Sequence, residues 1–223
     1  MSFNHSQFSR GLKQALINYI EGEDFELAAI NNHLQNMQNY DLVSLSDDEE
    51  KIGFWINVYN GITNHFIIEN KLHKSVRELS KFFTELKVNI GGHEFSLDDI
   101  EHGILRKNGM RNSKSKSQFL EGDMRKNFAP IFFDHRIHFA LNCGGLSCPP
   151  IVSCQAELIH EQLIWAEENF SHTGFEIDEV LKQITCSSIF VWYRNDFVET
   201  YLNNLQLTDY RVTEKEYNWN FRD

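Results

Sequence analysis

Two cysteines, a histidine and a pair of glycines lie within one short stretch of the chain, residues 136–150. Cys143 comes directly before Gly144 and Gly145, and Cys148 follows and is held by two prolines. A thiolate is a nucleophile, an imidazole can serve as its base, and glycines let the backbone turn sharply with its N–H groups exposed. The stretch therefore predicts acyl transfer or amide hydrolysis, with Cys143 as the nucleophile and the glycine N–H groups facing the oxyanion.

The expected base is His138, with His102 as the second candidate. Residues Ile137–Asn142 alternate between apolar and polar, which predicts a β-strand with one face in a core. His138 then lies on the polar face, and the same alternation directs Cys143 away from it. The pairing of His102 with Cys148 stays open for this reason.

Glu101 is the most informative carboxylate in the sequence. Ser96 has the type of a helix N-cap and Asp99 stands at the capping-box position, which predicts a helix from Leu97 to about Arg106. On that helix Glu101 falls within the apolar arc and His102 lies at its margin. Because an isolated buried charge is costly, Glu101 is expected to have a partner. It either orients the catalytic imidazole or is a buried cap or salt bridge.

The longest predicted element is a helix that begins at a capping box over Ser46–Glu49 and runs to about Asn70. Its sequence is apolar nearly all round, which indicates a central, buried helix. Asn57, Asn60 and Asn64 form a narrow polar stripe that should face loop backbone or a polar pocket, since buried amides need hydrogen-bond partners. The predicted substrate contacts are Asn57, Asn60, Asn142, Gly144 and Gly145. In the alternative interpretation the helix amides only satisfy neighbouring turns.

The other patterns predict shorter helices and strands. They comprise two helices within residues 8–39 broken near Gly22, a hairpin over Leu86–Phe95 around Gly91 and Gly92, a helix over residues 155–170, a strand pair at Phe175–Ile177 and Leu181–Cys186, an aromatic helical region at Ser188–Leu205, and a closing strand or loop at Tyr217–Phe221. We predict an α+β fold with an antiparallel sheet packed against the long buried helix. Residues 1–45 are expected to be a helical extension packed on a domain over residues 46–223.

The composition limits the functional classes. The 223 residues, 41% hydrophobic and 24% charged, fit a globular protein, and the net charge of −11 argues against nucleic-acid or anionic-membrane binding. No apolar run has the length of a membrane span, and the N-terminus lacks signal-peptide features, so a cytoplasmic location with cysteines as thiols is expected. Since Cys-x4-Cys is not a standard zinc spacing, neither a metal site nor a cofactor is predicted.

Several motifs resemble, in the same order, those of the domain of unknown function 547 (DUF547) family, over about residues 50–220. The matching blocks are Phe54–Asn60, Ser96–Arg106, Asp134–Cys143, Ser147–Pro150, Ile189–Phe197 and Tyr217–Trp219. The resemblance implies a shared α+β fold, with an outline similar to papain-like or transglutaminase-like thiol enzymes. It also implies that the polar and thiol positions of the family are Glu101, His102, His138, Cys143 and Cys148.

Two functions of different classes follow. The first is a cysteine-dependent enzyme acting on a peptide or a small amide or thioester, with a thiol nucleophile, a histidine base and Glu101 as the orienting group. The second is a non-catalytic interaction module in which the same residues lock the strand against the asparagine-striped helix. The oligomeric state stays open.

Overall fold

A computed structural model describes residues 3–25, 27–109, 117–150, 153–197 and 210–222, with the side chains of 27–30 and 172 excepted. The α-helices are α1 (His5–Glu21), α2 (Leu27–Gln38), α3 (Asp48–Glu69), α4 (Phe82–Glu85), α5 (Ile159–Gly174) and α6 (Ser188–Trp192). The strands are β1 (Val88–Ile90), β2 (His93–Phe95), β3 (Phe175–Asp178), β4 (Gln183–Ser187) and β5 (Arg211–Lys215). Within these ranges, no helix combines the length and the apolar character that crossing a bilayer requires.

Helix α3 lies at the centre of the fold, and it is buried over most of its length, as its apolar sequence predicts. Its N-cap is Asp47, whose side chain accepts from the N–H of Glu50, while the Glu50 carboxylate accepts from the N–H of Ser46. The predicted capping box was therefore one residue out of register. Asp is a favoured N-cap residue, and a helix that begins after Asp47 has three further acidic residues in its first turn, where the helix dipole stabilises negative charge.

The N-terminal helices confirm the predicted break near Gly22. Gly22 ends α1 in the left-handed conformation, with φ +78°. Helix α1 packs along α3, and the ring of Phe8 lies so close to Gly61 that a Cβ there would come within 2.4 Å of it. The division of the chain at residue 45 stays a prediction.

The predicted capping box at Ser96 is confirmed. The Ser96 N–H donates to Asp99 Oδ2 at 3.0 Å, and the Asp99 N–H donates to Ser96 Oγ at 3.1 Å. The helix that follows is not a regular α-helix, because residues Asp99–Leu105 are π-helical and the N–H of Arg106 reaches the carbonyl of Glu101. Such a widened turn inserts an extra residue and is frequent at functional sites.

The predicted strand over Ile137–Asn142 is wrong. A 3₁₀ helix spans His135–Phe139, and Asp134 caps it by accepting from the N–H of Arg136 at 2.9 Å. Ile137, His138 and Phe139 are all buried, so the alternation does not separate a core face from a solvent face. The segment packs against α5, and none of the strands in the described ranges lies beside it to accept the backbone hydrogen bonds of a strand.

The strands form two small sheets. Strands β1 and β2 make the predicted hairpin, with Gly91 and Gly92 both at positive φ, and β3 pairs antiparallel with β4. The third strand of the second sheet, β5, was not predicted, and it pairs with β4 in parallel. That sheet is therefore mixed, and it contacts α5 and α6. The fold is α+β, as predicted from the sequence.

One predicted feature extends beyond what the structure describes, and the predicted C-terminal segment lies within the described residues. The aromatic region predicted over Ser188–Leu205 begins as helix α6, which ends at Trp192, and residues 198–209 lie outside the described ranges. The C-terminal residues run as a loop that makes one isolated bridge, between Ser75 and Asn220.

Candidate functional site

The two cysteines of the glycine loop are neighbours, with their sulfur atoms 3.0 Å apart. The Cys148 sulfur accepts a hydrogen bond from the N–H of Cys143 at 3.1 Å. The hydroxyl of Tyr217 lies 3.0 Å from the Cys148 sulfur and 3.7 Å from the Cys143 sulfur. All four cysteines of the chain are free thiols, as the sequence predicts.

The pKa values of the two thiols are shifted in opposite directions. Burial raises the pKa of the Cys148 thiol, but hydrogen bonds from Cys143, Tyr217 and the backbone N–H groups of Cys143 and Gly145 outweigh it and lower the pKa to about 7. The hydrogen bond to Cys148, together with burial, raises the pKa of Cys143 well above its ordinary value. Near neutral pH the negative charge therefore resides on Cys148, and Cys143 acts as its donor.

Asparagine amides hold the chain that leads into this pair. The side chain of Asn60 on α3 donates to the carbonyl of Ala140 at 2.9 Å and accepts the N–H of Asn142 at 2.9 Å. Asn142 in turn accepts the N–H of Gly144 at 2.7 Å and donates to the carbonyl of Pro149 at 2.6 Å. These bonds fix both ends of the loop against the central helix.

The two glycines are required for different reasons. Gly144 has a φ of +88°, a conformation that L side chains rarely adopt, and a Cβ there would lie 2.8 Å from Ile67. Gly145 lies against the C-terminal loop, where a Cβ would come within 2.9 Å of the carbonyl oxygen of Asn218. The close approach allows Leu146 and Ser147 to donate their N–H groups to that loop, which carries Tyr217.

The thiol pair lines a cleft of about 530 Å³ with a largely aromatic and aliphatic wall. Its lining comprises Tyr59, Phe83, Glu101, His138, Leu141, Cys143, Cys148, Ile189, Val191, Trp192, Tyr193, Tyr217 and Trp219. Four of the five predicted catalytic residues, Glu101, His138, Cys143 and Cys148, therefore line the same cavity.

His138 is 3% exposed and is held by a carboxylate that sequence reasoning missed. Its Nε2 lies 2.8 Å from Oδ2 of Asp196, and its ring stacks on Tyr193 with a centroid distance of 3.9 Å. The Arg106 guanidinium donates two hydrogen bonds to the same carboxylate, at 2.5 and 2.9 Å. Burial opposes ionisation, but the bonds from His138 and Arg106 lower the pKa of Asp196 to about 2. Because an ionised carboxylate only accepts, the proton of neutral His138 resides on Nε2.

Burial lowers the pKa of His138 below its ordinary value, although the Asp196 hydrogen bond opposes this. The imidazole is therefore neutral near pH 7. Its hydrogen-bond partner among the described residues is Asp196 and not a thiol.

Glu101 lines the cleft and is a buried residue, 6% exposed. Its oxygen atoms accept hydrogen bonds from the hydroxyls of Tyr59, at 3.2 Å, and Tyr193. Burial, and after it the charge of Glu101, raises the pKa of Tyr59 well above its ordinary value, so this hydroxyl stays a donor. The structure thus gives Glu101 two tyrosine partners, while Asp196 occupies the position beside His138 that the sequence assigned to Glu101.

The second histidine candidate lies behind the cleft. His102 is buried, and its Nδ1 is 2.8 Å from the Arg106 guanidinium and 3.8 Å from Glu101 Oε1. It is not among the residues that line the cleft with the thiols. His102 instead belongs to the polar cluster that positions Arg106.

Asn57 and Asn60, which the sequence predicts to contact substrate, do not lie in the cleft. Both side chains are fully buried and bind backbone, with Asn57 accepting the N–H of Cys154 at 2.9 Å and donating to its carbonyl at 2.7 Å. Neither lines the cleft, which favours the interpretation that these amides satisfy neighbouring loops. Asn142 and Gly144 bind each other, and the Gly145 N–H faces the sulfur atoms.

Tyr193, Asp196 and Tyr217 were missed as site residues. All three lie in the blocks Ile189–Phe197 and Tyr217–Trp219, which carry the family resemblance but were assigned to packing. A carboxylate inside an otherwise aromatic block was the available signal, since such a group needs a buried partner. Across the described residues, no group of three or more His, Cys, Asp or Glu side chains could hold a metal ion.

Comparison with known proteins supplies the family. The model of the family described as "Protein of unknown function, DUF547" matches residues 42–170, which is more than half of the chain. Neither the curated proteins nor the solved structures contain a match to the chain. The matched range includes Glu101, His138 and both loop cysteines, and it ends before Tyr193, Asp196 and Tyr217. The chain belongs to the DUF547 family.

Proposed function

We propose that the protein is a cysteine-dependent acyltransferase or hydrolase whose nucleophile is Cys148, with Cys143 as its hydrogen-bond donor. One observation carries the proposal, namely that the Cys148 sulfur accepts from Cys143, Tyr217 and the backbone beside it at the wall of an open cleft. The thiolate is the nucleophilic form of cysteine, and these donors stabilise it. The sequence had favoured Cys143 as the nucleophile and had left Cys148, paired with His102, as the open alternative.

The proposed reaction begins with attack of the Cys148 thiolate on an acyl carbon. A sulfur–carbon bond forms, and the carbonyl electron pair moves to the oxygen. The donors that had stabilised the thiolate, the Gly145 N–H and the Tyr217 hydroxyl, then stand beside the new oxyanion. Burial and the neighbouring sulfur atoms raise the pKa of Tyr217, which keeps its proton available for this bond. When the carbonyl reforms, the bond from the acyl carbon to the leaving group breaks, and the leaving group departs as its anion and takes a proton from water.

The second half of the reaction needs a base for the incoming water or acceptor. We assign this role to His138, which lines the same cleft, is neutral near pH 7 and is oriented by Asp196. Water or another acceptor attacks the thioester carbon and gives its proton to Nδ1 of His138. The sulfur–carbon bond breaks, and Cys148 leaves as the thiolate. In this scheme the hydrogen-bond donors stabilise the thiolate form of Cys148. The imidazole of His138, which lines the same cleft, serves only as the base for the incoming water or acceptor.

Acyl trapping tests the proposal. Wild-type protein incubated with p-nitrophenyl acetate is expected to gain one acetyl group on the peptide that contains Cys148 and to release p-nitrophenolate in a burst. Cys148→Ser should remove the burst, and Cys186→Ala, which changes a buried thiol on β4, should keep it. Acetylation of Cys143 in place of Cys148, or no acetylation of either, would contradict the assignment. In the second case the interaction module becomes the better interpretation.

The short distance between the two sulfur atoms favours thiol–disulfide exchange as a second candidate function. The Cys148 thiolate would attack a substrate disulfide, form a mixed disulfide and release one thiolate. Cys143, after losing its proton, would attack the Cys148 sulfur, release the second thiolate and leave a Cys143–Cys148 disulfide, which a small dithiol reductant would reset.

Cys143→Ala separates the two functions. The variant keeps the nucleophile and should still be acetylated if acyl transfer is the reaction, at a rate lowered by the lost hydrogen bond. In an exchange enzyme the same variant should stop at the mixed disulfide, which intact-mass measurement detects.

A further inference from the structure

The two thiols of the loop are placed so that one sulfur can attack a substrate and the other can follow it. Cys143 and Cys148 are both partly exposed, both line the cleft, and their sulfur atoms are 3.0 Å apart. A disulfide has a sulfur–sulfur distance of about 2.0 Å, so an approach of roughly 1 Å closes the bond. The pair can therefore pass through an oxidation and reduction cycle.

The backbone between the two cysteines is a tight turn that does not depend on the sulfur atoms. The N–H of Cys148 donates to the carbonyl of Gly145 at 2.9 Å. The Asn142 side chain binds the N–H of Gly144 and the carbonyl of Pro149, at either end of the turn. None of these bonds uses a sulfur atom, so the turn can keep its shape when the two sulfur atoms are joined.

The other two thiols of the chain provide a contrast. Cys154 and Cys186 are 0% and 2% exposed. Burial raises the pKa of Cys154 to about 12, and burial, followed by the charge of Glu214, raises the pKa of Cys186. Oxidants attack the thiolate form of accessible cysteines, which directs oxidation to Cys148.

The surroundings of Cys148 suit one class of oxidant. The Tyr217 hydroxyl and the Gly145 N–H lie beside its sulfur, where they can donate to an oxygen atom that becomes negative as an O–O bond breaks. The wall of the cleft is largely aromatic and aliphatic, and it includes Leu141, Ile189 and Trp192. Such a wall favours a hydroperoxide that carries an apolar group over hydrogen peroxide.

From these observations we propose that the protein also reduces organic hydroperoxides, with Cys148 as the attacking thiolate and Cys143 as the resolving thiol. The chemical class of the substrate is an aryl or alkyl hydroperoxide whose apolar part packs on Leu141, Ile189 and Trp192. This activity shares the Cys148 nucleophile with the proposed function and requires none of its acyl chemistry.

In the first step the Cys148 thiolate attacks the terminal oxygen of the hydroperoxide. A sulfur–oxygen bond forms, the O–O bond breaks, and the alkoxide takes a proton from water and departs as the alcohol. Cys148 is then a sulfenic acid, and the hydroxide that remains takes the proton of Cys143. The hydrogen bond to the Cys148 thiolate, which had raised the pKa of Cys143, is absent at this stage.

In the second step the Cys143 thiolate attacks the Cys148 sulfur. The disulfide forms, and the sulfenic oxygen leaves as hydroxide. Because Cys143 is adjacent to Cys148, this step competes well with attack by a second hydroperoxide, which would give the sulfinic acid. A small dithiol such as dithiothreitol reduces the disulfide by exchange and becomes a cyclic disulfide itself.

Oxidation by cumene hydroperoxide at pH 7 tests the proposal. One equivalent should lower the mass of reduced wild-type protein by about 2 Da and join Cys143 to Cys148 in peptide maps, while Cys154 and Cys186 stay free. The rate constant should exceed that of free cysteine roughly a hundredfold or more, and that of the protein with hydrogen peroxide roughly tenfold or more. A rate constant equal to that of free cysteine would mean adventitious oxidation and would overturn the proposal. Equal rates with both peroxides would overturn the substrate class.

Variants identify the two roles. Cys143→Ala should stop at the sulfenic acid, which dimedone traps on Cys148, whereas Cys148→Ser should give neither a disulfide nor a dimedone adduct. Cys186→Ala should react as wild type does. A dimedone adduct on Cys143, or none on Cys148 in Cys143→Ala, would contradict the assignment. If Cys143→Ala does not fold, Cys143→Ser replaces it, and the disulfide map and rate of the wild type decide the question.

The outcomes separate this activity from the functions proposed above. Acetylation of Cys148 with slow oxidation by cumene hydroperoxide would refute the hydroperoxide activity and keep the acyl enzyme. Rapid oxidation without acetylation would refute the acyl enzyme and keep the hydroperoxide activity. The sulfenic acid distinguishes it from thiol–disulfide exchange, in which the sulfur never carries oxygen.

Discussion

The sulfur of Cys148 lies 3.1 Å from the backbone nitrogen of Cys143 and 3.0 Å from its sulfur, so one residue presents two donors to its neighbour. The five-residue spacing and the turn at Gly144 and Gly145 produce this contact. It makes the second cysteine of the loop, and not the first, the one that is charged near neutral pH.

The first prediction concerns selective alkylation. Because the pKa of Cys148 is lowered to about 7 while that of Cys154 is raised to about 12, iodoacetamide should label Cys148 first, with a half-maximal rate near pH 7. Burial, with a smaller contribution from Glu214, raises the pKa of Cys186, which should react slowly. Peptide mapping by mass spectrometry at several pH values measures the profile. Labelling of Cys143 ahead of Cys148 would contradict the charge assignment.

The second prediction concerns Tyr217. Tyr217→Phe removes the hydroxyl that stabilises the Cys148 thiolate, so the alkylation profile of Cys148 should move to higher pH. The free energy of unfolding should fall by only about 1 kcal/mol, since one partly exposed hydrogen bond is lost. Tyr210→Phe is the control, because that ring contacts Lys182 at the sheet and not the thiols. An unchanged profile in Tyr217→Phe would remove the hydroxyl from the mechanism.

Local signals in the sequence predicted the helices and the hairpin well. Gly22, the Ser96 and Asp99 pair, and Gly91 with Gly92 act through contacts within a few residues, and the structure contains each of them. The Ile137–Asn142 segment failed because its alternation did not come from a sheet. It came from a 3₁₀ turn in which the consecutive residues Ile137, His138 and Phe139 are all buried.

The candidate site was predictable as a set of residue types but not as a set of pairs. Glu101, His138 and Cys143 do share a cleft with Cys148, yet the partner of His138 is Asp196, 58 residues later in the chain. Long-range contacts of this kind leave no periodic pattern. The π-helical turn adds a second cause, because it shifts the residues after Asp99 from the positions that a 3.6-residue projection gives them.

The third prediction concerns Asp196 and pH. Its pKa of about 2 in the folded protein lies below the ordinary 3.8, so its ionised form stabilises the fold. This contribution, about 2 kcal/mol, is complete above pH 5 and is lost as the pH falls from about 4 towards 2. Asp196→Asn should therefore lower the free energy of unfolding at pH 7 by roughly this amount and by less at pH 3. Urea unfolding at both pH values measures the difference.

The control for Asp196→Asn is Asp24→Asn, which changes an exposed carboxylate and should have little effect at either pH. A loss of stability in Asp196→Asn that is the same at pH 3 and pH 7 would show that shape, and not charge, matters at this position.

The last prediction compares two asparagines of α3 that make similar bonds in different places. Asn60 binds the carbonyl of Ala140 and the N–H of Asn142, and Asn57 binds both backbone groups of Cys154. Replacing either by Ala leaves a buried donor and a buried acceptor without partners, at a cost of about 2–4 kcal/mol. Both variants should lose stability to a similar extent in urea unfolding.

Reactivity should distinguish the two variants. Asn60→Ala frees the chain just before Cys143, which loosens the N–H that Cys148 accepts, so the alkylation rate of Cys148 at pH 7 should fall. Asn57→Ala acts at Cys154, which lies outside the loop that carries the thiol pair. It should leave the alkylation rate of Cys148 unchanged in the folded fraction. Equal rates in both variants would mean that the loop keeps its shape without Asn60. The thiol pair would then be positioned by the contacts of Gly145 with the C-terminal loop, and Gly145→Ala should become the variant that reduces the reactivity of Cys148.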